Sequence, residues 1–509
     1  RRLAASSTGL RPMGVGGAAV EENFGTASGV EALSSAEQKA AFYRDERITY
    51  WNSYSRRKSS NYYHRRLTEI YQFLIPPGQR VLEMGCADGD LLASLKPSEG
   101  VGIDFSPQMI ARARSKHPQL TFIQSDVHEP ELSGTFDYIV LSDLVNDLWD
   151  VERVFERIAT LCGPQTRVVI NTYSRLWELP LAAARRLKLA NPSIARNWLT
   201  PEDLENMLYL SGFAMIRRWQ EILCPLRLPI VDSICNRYLV KVAPFRAGAL
   251  TNFLIVRRAE QSDSPSREKR EPIVSVVVPA RNEAGNIDNI FRRVPEMGAG
   301  TELIFVEGHS SDGTYEAIER IAKNYPGKRV KMMRQTGRGK GDAVRAGFAA
   351  AAGDVLMILD ADLTVAPEDL PRFYSVLRSG KGEFVNGVRL VYPMEAQAMR
   401  FFNLLGNKFF AVAFSWLLGQ KIKDTLCGTK VLGRRNYELL ARNRGYFGEF
   451  DPFGDFDLIF GAAKLNLKIV DVPIRYAERT YGETNIARWR HGWLLIRMVM
   501  FACRKIKFV

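Results

Sequence analysis

Two aspartates separated by one alanine, Asp360 and Asp362, end the apolar run in MILDADLTV (357–365). Carboxylates that close repel one another, and at a strand end they need positive charge between them. A hard divalent cation, Mg²⁺ or Mn²⁺, is the natural complement, because such ions take oxygen ligands. Three upstream segments also end in polar groups. VSVVVPARNE (274–283) leads into Pro279, Asn282 and Glu283, ELIFVEGHSSDGT (302–314) passes Glu307, and GRGKGDAVRAGF (337–348) is a basic glycine loop entering a helix. Amides around Pro279–Glu283 can bracket a nucleoside, Glu307 can accept from a base imino N–H, and Lys340 can meet phosphate. Together these describe a sugar-nucleotide site, with Asp360 and Asp362 holding a metal against the diphosphate and Asp362 as a catalytic carboxylate. A P-loop is excluded because GxxxxGK[ST] is absent.

A second constellation lies nearer the start of the chain. VLEMGCADGDLL (81–92) reads as a strand, a Gly-rich turn and a helix start. Gly85 and Gly89 allow a tight turn with helix N–H groups facing a ligand. A dinucleotide site would prefer GxGxxG, but Asp90 stands where its third glycine belongs. Glu83 lies within the first strand, Asp104 ends the second (VGIDFSPQMI) and Asp126 ends the third (FIQSDVHEP). In an open parallel sheet these strand ends share one crevice. There Asp104 can accept from ribose hydroxyls and Asp126 from an adenine amino group.

Both constellations need strands alternating with helices. The first half supplies RVLEMG, GVGID, LTFIQSD, FDYIVLSD and TRVVINTY as strands; the second supplies IVSVVVP, ELIFVEG, RVKMMRQ and DVLMILDAD. This alternation predicts parallel α/β sheets. At 509 residues the chain is too long for one ordinary core. AEQSDSPSREKREP (259–272) is polar and apolar-poor, a linker between two unrelated domains. The expected division is a disordered tail over 1–30, a first domain over 31–258, the linker, a second domain over 273–485 and a basic amphipathic helix over 486–509.

The first domain, across roughly 50–258, resembles class I S-adenosylmethionine-dependent methyltransferases, with a Rossmann-like fold. The resemblance implies S-adenosyl-L-methionine as cofactor, held by Glu83, Gly85, Gly89, Asp104 and Asp126. It places Ser142 and Asp143 near the transferred methyl, with Asp143, Asn146 or Asp147 orienting an acceptor. The second domain, across about 273–490, resembles glycosyltransferase family two, with the A-type glycosyltransferase fold, and within it the dolichyl- or polyprenyl-phosphate sugar synthases. DTLCGTKVL (424–432), FGDFDLIFGAAKLNLKIVDVPIRY (453–476) and ERTYGETN (478–485) match later motifs. Thr364 stands where a glutamine often follows the aspartate pair, and Asn485 replaces a loop lysine.

That resemblance implies inverting transfer of a sugar to a polyprenyl phosphate, with Arg389, Arg400 and Arg479 at positions that meet phosphates. Such an acceptor attacks without a general base; a sugar hydroxyl would need one, for which Asp457 or Asp455 is the candidate. The alternative is a transferase elongating a glycan or lipid-linked sugar, with the first domain a non-catalytic binding module.

Composition sets the surroundings. A formal net charge of +14 favours an anionic partner. No recognised nucleic-acid module accompanies that charge, so nucleic acid is not expected as the partner. The six cysteines form no CxxC pair, which argues for a reducing compartment and against a zinc site. The opening RRLAASSTGLRPMGVGGAAV lacks the apolar core of a secretory signal. No stretch provides the roughly 18 unbroken apolar residues of a membrane span. Arg490, Arg497 and Arg504 recur at heptad spacing beside Trp489, Trp493, Ile496 and Met500, as in an interfacial helix. The expected location is therefore cytoplasmic, peripheral on the inner face of a membrane.

Overall fold

The structure, a computed structural model, describes residues 36–53, 60–187, 197–259, 270–389, 401–446, 455–477, 479, 481 and 488–508. The expected tail over 1–30 and most of the linker lie outside these residues, as does Arg400. Among the described residues the strands form two seven-stranded sheets.

The first sheet contains β1 (Arg80–Met84), β2 (Glu99–Asp104), β3 (Thr121–Gln124), β4 (Phe136–Ser142), β5 (Cys162–Tyr173), β6 (Phe213–Glu221) and β7 (Thr251–Arg258). Their order across the sheet is β3-β2-β1-β4-β5-β7-β6. Strands β1 to β5 are parallel, whereas β7 runs antiparallel to both β5 and β6. Burial on both faces explains the unbroken apolar runs of the central strands. The flanking helices bury one stripe each. In Val151–Thr160 the buried residues are Val151, Val154, Phe155 and Ile158, and Asp150 caps the helix by accepting from the Arg153 N–H at 3.0 Å.

The second sheet contains β8 (Val274–Ala280), β9 (Thr301–Glu307), β10 (Arg329–Arg334), β11 (Val355–Ile358), β12 (Phe384–Val388), β13 (Lys430–Gly433) and β14 (Ile469–Pro473). Its order is β10-β9-β8-β11-β13-β12-β14, with β13 antiparallel to β11 and β12. The expectation of parallel sheets therefore needs correction: each sheet is parallel at its centre and mixed toward one edge. In both, the expected site residues lie at or just beyond the carboxyl ends of the parallel strands.

The C-terminal segment also differs from expectation. The helix Arg488–Ala502 passes into a wider turn over Cys503–Lys507, which carries Arg504, while the side chain of Arg490 lies outside the described residues. Leu495, Met498, Ala502 and Ile506 enter the core of the second half, while Trp493, Ile496 and Met500 are exposed. No described helix is long and apolar enough to cross a membrane.

The two halves are joined by polar contacts, of which those of Arg167 are buried. Arg167 on β5 donates both to Glu383, at 2.8 and 2.9 Å, and to the Asn466 carbonyl, at 2.9 Å. The side chains of Arg167 and Glu383 are only 4% and 9% exposed, and Arg257 lies 3.8 Å from the same carboxylate. Trp416 Nε1 reaches the Lys241 carbonyl at 3.0 Å, and Arg237 Nε reaches that of Phe508 at 2.9 Å. Removing one member of such a pair strands buried charge. Glu383→Ala is expected to destabilise the protein by about 3–5 kcal/mol, read by denaturant unfolding. Arg167→Met combined with Glu383→Leu should recover part of that loss; an unfolding midpoint unmoved by Glu383→Ala would contradict this account of the seam.

Candidate functional site

In the first sheet, Gly85, Ala87 and Gly89 all take positive φ, at 72°, 45° and 78°, so the loop after β1 curls tightly before the helix Asp90–Ser94. Ala87 adopts the left-handed conformation without being glycine, a modest local strain. Gly89 has a steric reason as well: a Cβ there would lie 2.6 Å from the Phe122 ring. Glu83 is buried, and burial pushes its carboxyl well above the usual range. It accepts from the Leu92 N–H at 3.0 Å, tying strand to helix. Asp104 accepts from the N–H groups of Ala87 and Ser106 at 3.0 and 2.9 Å, and burial raises its pKa despite these bonds. Each carboxylate oxygen retains a second acceptor position. Asp126 accepts from the His128 N–H at 2.9 Å and lies 2.7 Å from His128 Nδ1. Burial opposes its ionisation, but the His128 bonds and Arg44 outweigh that and lower its pKa.

Asp143, just past β4, sits at φ 54° in a polar nest. It accepts from Tyr63 Oη at 2.9 Å and from Asn171 Nδ2 at 2.5 Å, with Tyr173 Oη at 3.4 Å. Tyr71 donates to Asn171 Oδ1 at 2.7 Å, extending the network. These partners were not anticipated; isolated tyrosines carry no spacing signal. Asn146 is a correction. Its amide is buried and committed to the Asn197 carbonyl at 2.7 Å and the Tyr173 N–H at 2.9 Å, so it holds backbone rather than facing an acceptor. Asp147 accepts from Arg47 Nε through its backbone carbonyl at 2.8 Å.

In the second sheet the aspartate pair is resolved by two cations. Asp360 lies 2.6 Å from Lys340 Nζ at the start of the helix Lys340–Ala350. Burial works against ionisation of Asp360, but Lys340 and more distant cations lower its pKa. Asp362 accepts from Arg479 Nη2 at 2.8 Å and from the Thr364 hydroxyl at 2.9 Å. Arg479 Nη1 reaches Glu283 at 3.1 Å, so one guanidinium bridges two carboxylates. Glu283 is buried and also accepts from Asn286 at 2.8 Å; burial pushes its carboxyl up to about 7 against the pull of Arg479. Gly428, within DTLCGTKVL, packs directly against the pair: a Cβ there would come within 1.9 Å of Asp360 Oδ2 and 2.3 Å of Lys340 Nζ. The requirement for glycine at 428 follows from that close approach, which the sequence did not reveal.

The nucleoside side is also assembled. Asn282, at φ 56°, accepts from the Ser311 N–H at 2.9 Å and donates its own N–H to Ser310 Oγ at 3.0 Å. Glu307 at the end of β9 accepts from the Ser310 N–H and lies 3.8 Å from Arg334 Nε. Pro279 lies near the end of β8. Tyr481 covers Gly285, where a Cβ would lie 2.5 Å from its ring.

Other expected residues fall differently. Arg389 forms a buried ion pair with Asp424, at 2.7 Å from Nε and 2.9 Å from Nη2, and it also caps Asp424 through its own N–H. Burial works to lower its pKa, but Asp424 outweighs that and holds it above the ordinary arginine value, and the ion pair commits the guanidinium within the protein rather than to an acceptor phosphate. Asp457 is likewise paired, accepting from Arg444 Nε at 2.8 Å, which disfavours a free general base there. Asp455 begins the helix Asp455–Lys464, but its side chain lies outside the described residues. Among the described residues no three His, Cys, Asp or Glu side chains cluster as a metal cage. Two carboxylates of all-oxygen character nevertheless suit a cation whose remaining ligands come from a phosphate substrate and water.

Comparison with known proteins follows this division. A family model described as Methyltransferase domain matches residues 56–218, and one described as Glycosyl transferase family 2 matches residues 275–436. A dolichol-phosphate mannosyltransferase of Pyrococcus furiosus is 29% identical over 219 residues, 42% of this chain and 59% of that protein. A dolichol-phosphate mannosyltransferase of Saccharomyces cerevisiae is 39% identical over 109 residues, 20% of this chain and 40% of that protein. The chain thus spans about half the length of these two relatives. Among solved structures, a magnesium protoporphyrin IX methyltransferase from Synechocystis is similar at 17% identity and a TM-score of 0.29, over 43% of this chain and 94% of that one.

The ionisation of Glu283 has a measurable sign. With its pKa raised from 4.5 to about 7, the folded protein keeps the proton between those values while the unfolded chain releases it. Its contribution therefore lowers stability as pH rises from 4.5 to about 7 and levels off above. Calorimetric melting across that range should show the wild type losing stability relative to Glu283→Gln; parallel curves would contradict the raised pKa.

Proposed function

Because the chain joins a methyltransferase domain to a glycosyl transferase family 2 domain, we propose that it is a bifunctional enzyme. One half transfers methyl groups from S-adenosylmethionine. The other transfers a sugar from a nucleotide-sugar to a polyprenyl or dolichyl phosphate, with inversion and with a divalent metal. The carrying observation is the charge cluster at the end of β11, where Asp360, Asp362 and Glu283 face Lys340 and Arg479 around Gly428. The names of the two curated relatives support the choice of acceptor class.

In this reading the nucleoside lies against Asn282 and Glu307 and its diphosphate approaches Lys340. Asp360 and Asp362 would hold Mg²⁺ or Mn²⁺, which when bound would stabilise negative charge on the departing nucleotide diphosphate. Arg479, now shared between Glu283 and Asp362, is placed to meet phosphate once other positive charge takes over Asp362. The phosphate oxygen of a polyprenyl phosphate is already a nucleophile, so the pairing of Asp457 with Arg444 is no obstacle. In the first half, Asp104 and Asp126 would receive the ribose and adenine. Asp143, oriented by Tyr63, Asn171 and Tyr173, would position the methyl acceptor for in-line attack. The exposed Trp493, Ile496 and Met500 give the C-terminal helix an apolar side for the inner membrane surface where such a lipid resides.

The test is incubation of the full chain with a polyprenyl phosphate, a panel of sugar nucleotides and labelled S-adenosylmethionine, followed by lipid extraction. Sugar label in an acid-labile lipid supports the reading; label confined to acid-stable glycan would transfer the assignment to the elongating alternative. Asp362→Ala should abolish sugar transfer while leaving S-adenosylmethionine binding intact, and full transfer in EDTA would remove the metal from the scheme. Asp104→Asn should weaken S-adenosylmethionine binding by about 1–3 kcal/mol, read by titration calorimetry; an unchanged affinity would mean the ribose lies elsewhere.

A further inference from the structure

A cavity of about 560 Å³ lies at the seam between the two halves, away from both sets of carboxylates just described. Its wall comes from the helix Ser60–Leu74, from β6, from the 232–241 turns, from the end of the helix Phe401–Leu418 and from the C-terminal turn. Seven Lys or Arg side chains line it against three Asp or Glu. The acids are partly engaged: Glu69 pairs with Arg66 at 2.9 Å, Asp232 accepts from the Ser233 N–H at 2.8 Å, and Glu221 pairs with Lys241 through Oε1 while its Oε2 is buried with no hydrogen-bond partner.

Four cations are left without an ion pair among the described residues. Arg237 and Lys507 donate only to the neutral carbonyls of Phe508 and Trp416, at 2.9 and 2.7 Å. Arg504 is exposed at the rim. Arg217 is the most telling. Its Nε is buried with no hydrogen-bond partner, and its guanidinium lies 4.6 Å from the Trp219 ring centroid. Burial lowers the pKa of Arg217 to about 10 and that of Lys507 to about 8, and for Lys507 the neighbouring Lys241 adds to the effect. Glu221 on the same wall offsets part of this effect for both cations, but Arg217 Nε still lacks a hydrogen-bond partner, and a buried polar group left so is costly. An anion with several oxygens would supply the missing hydrogen bonds and offset the repulsion. Leu417, Ile506 and the Trp219 ring add apolar wall suited to the remainder of such a molecule.

We propose that this seam cavity is a binding site for a phosphate-bearing ligand of the diphosphate class, gripped by Arg217 and Lys507 from the two halves of the chain. Guanidinium and ammonium groups converging from different elements match the geometry of adjacent phosphate oxygens. The ligand could arrive as a free phosphate compound or as the headgroup of a lipid, and the same chemistry would recognise either.

The test titrates the full chain with inorganic pyrophosphate in EDTA, so that no divalent ion recruits the second-sheet carboxylates. One saturable site is expected. Arg217→Met and, separately, Lys507→Gln should each weaken it about tenfold, the cost of one charge-assisted contact, while Lys340→Gln leaves it unchanged. If Arg217→Met does not fold, Lys507→Gln carries the binding test. A second arm adds phosphatidylcholine vesicles with and without phosphatidylglycerol. Displacement of pyrophosphate by the anionic vesicles alone identifies a lipid headgroup as the source, and no displacement identifies a free phosphate compound. Absence of saturable binding, or binding lost in Lys340→Gln and kept in both seam variants, overturns the proposal.

Discussion

The arrangement of the second half turns on one electrostatic constraint: two carboxylates at the end of a buried strand must be neutralised. Asp360 and Asp362 are separated by a single residue, and each finds its own cation, Lys340 from a helix start and Arg479 from a distant C-terminal loop. The partners cannot approach unless the chain between them makes room. Gly428 supplies that room, since any side chain there would occupy the space of the Asp360–Lys340 pair. The order β8-β11-β13 then becomes intelligible. Antiparallel β13 follows directly from the segment carrying Gly428 and pairs with β11, the strand that leads into the aspartates.

The same constraint is met differently in the first half. Glu83 and Asp104 are buried without a cation, and burial raises the pKa of both. Their compensation comes from backbone N–H groups of Leu92, Ala87 and Ser106, drawn in by a loop with left-handed positions at alternate residues 85, 87 and 89. Backbone donors suit a site for a neutral ribose, which needs acceptors rather than charge. Side-chain cations suit a site for a diphosphate, which needs charge removed from its path. The two crevices thus differ in how they stabilise acids, and the difference follows the ligands proposed for them.

How much of this was legible in the sequence depends on the range of the interaction. Strands β1 to β5 and β8 to β11 read directly from their sequence runs; burial on both faces gives the central ones a local composition signal, whereas the edge strands β3 and β10 are only partly buried. Strands β6, β7, β12, β13 and β14 were not placed, since β6 carries charged residues and β13 spans only four. Their pairing is decided by partners far along the chain. Asp360 and Asp362 stood out through their spacing, and Asp104 and Asp126 through their positions after strands. From the sequence Arg479 reads as an acceptor contact, whereas in the structure it bridges Glu283 and Asp362. The Asp143 nest of Tyr63, Asn171 and Tyr173 had no local signature. Neither did the Arg389–Asp424 pair, whose members are 35 positions apart.

That last pair changes how acceptor recognition is to be understood. Arg389 and Asp424 neutralise each other in a nearly dry setting, so together they contribute little net field at the site. The charge that a phosphate acceptor would meet must then come from groups whose present partners are exchangeable. Arg479 is such a group, because one of its two partners, Asp362, is a carboxylate that a metal would take over in the proposed reading. A bridging guanidinium released by substrate binding would couple occupancy of the nucleotide site to readiness of the acceptor site. If the proposed function holds, this charge balance would favour the donor first, freeing Arg479, and the acceptor phosphate second.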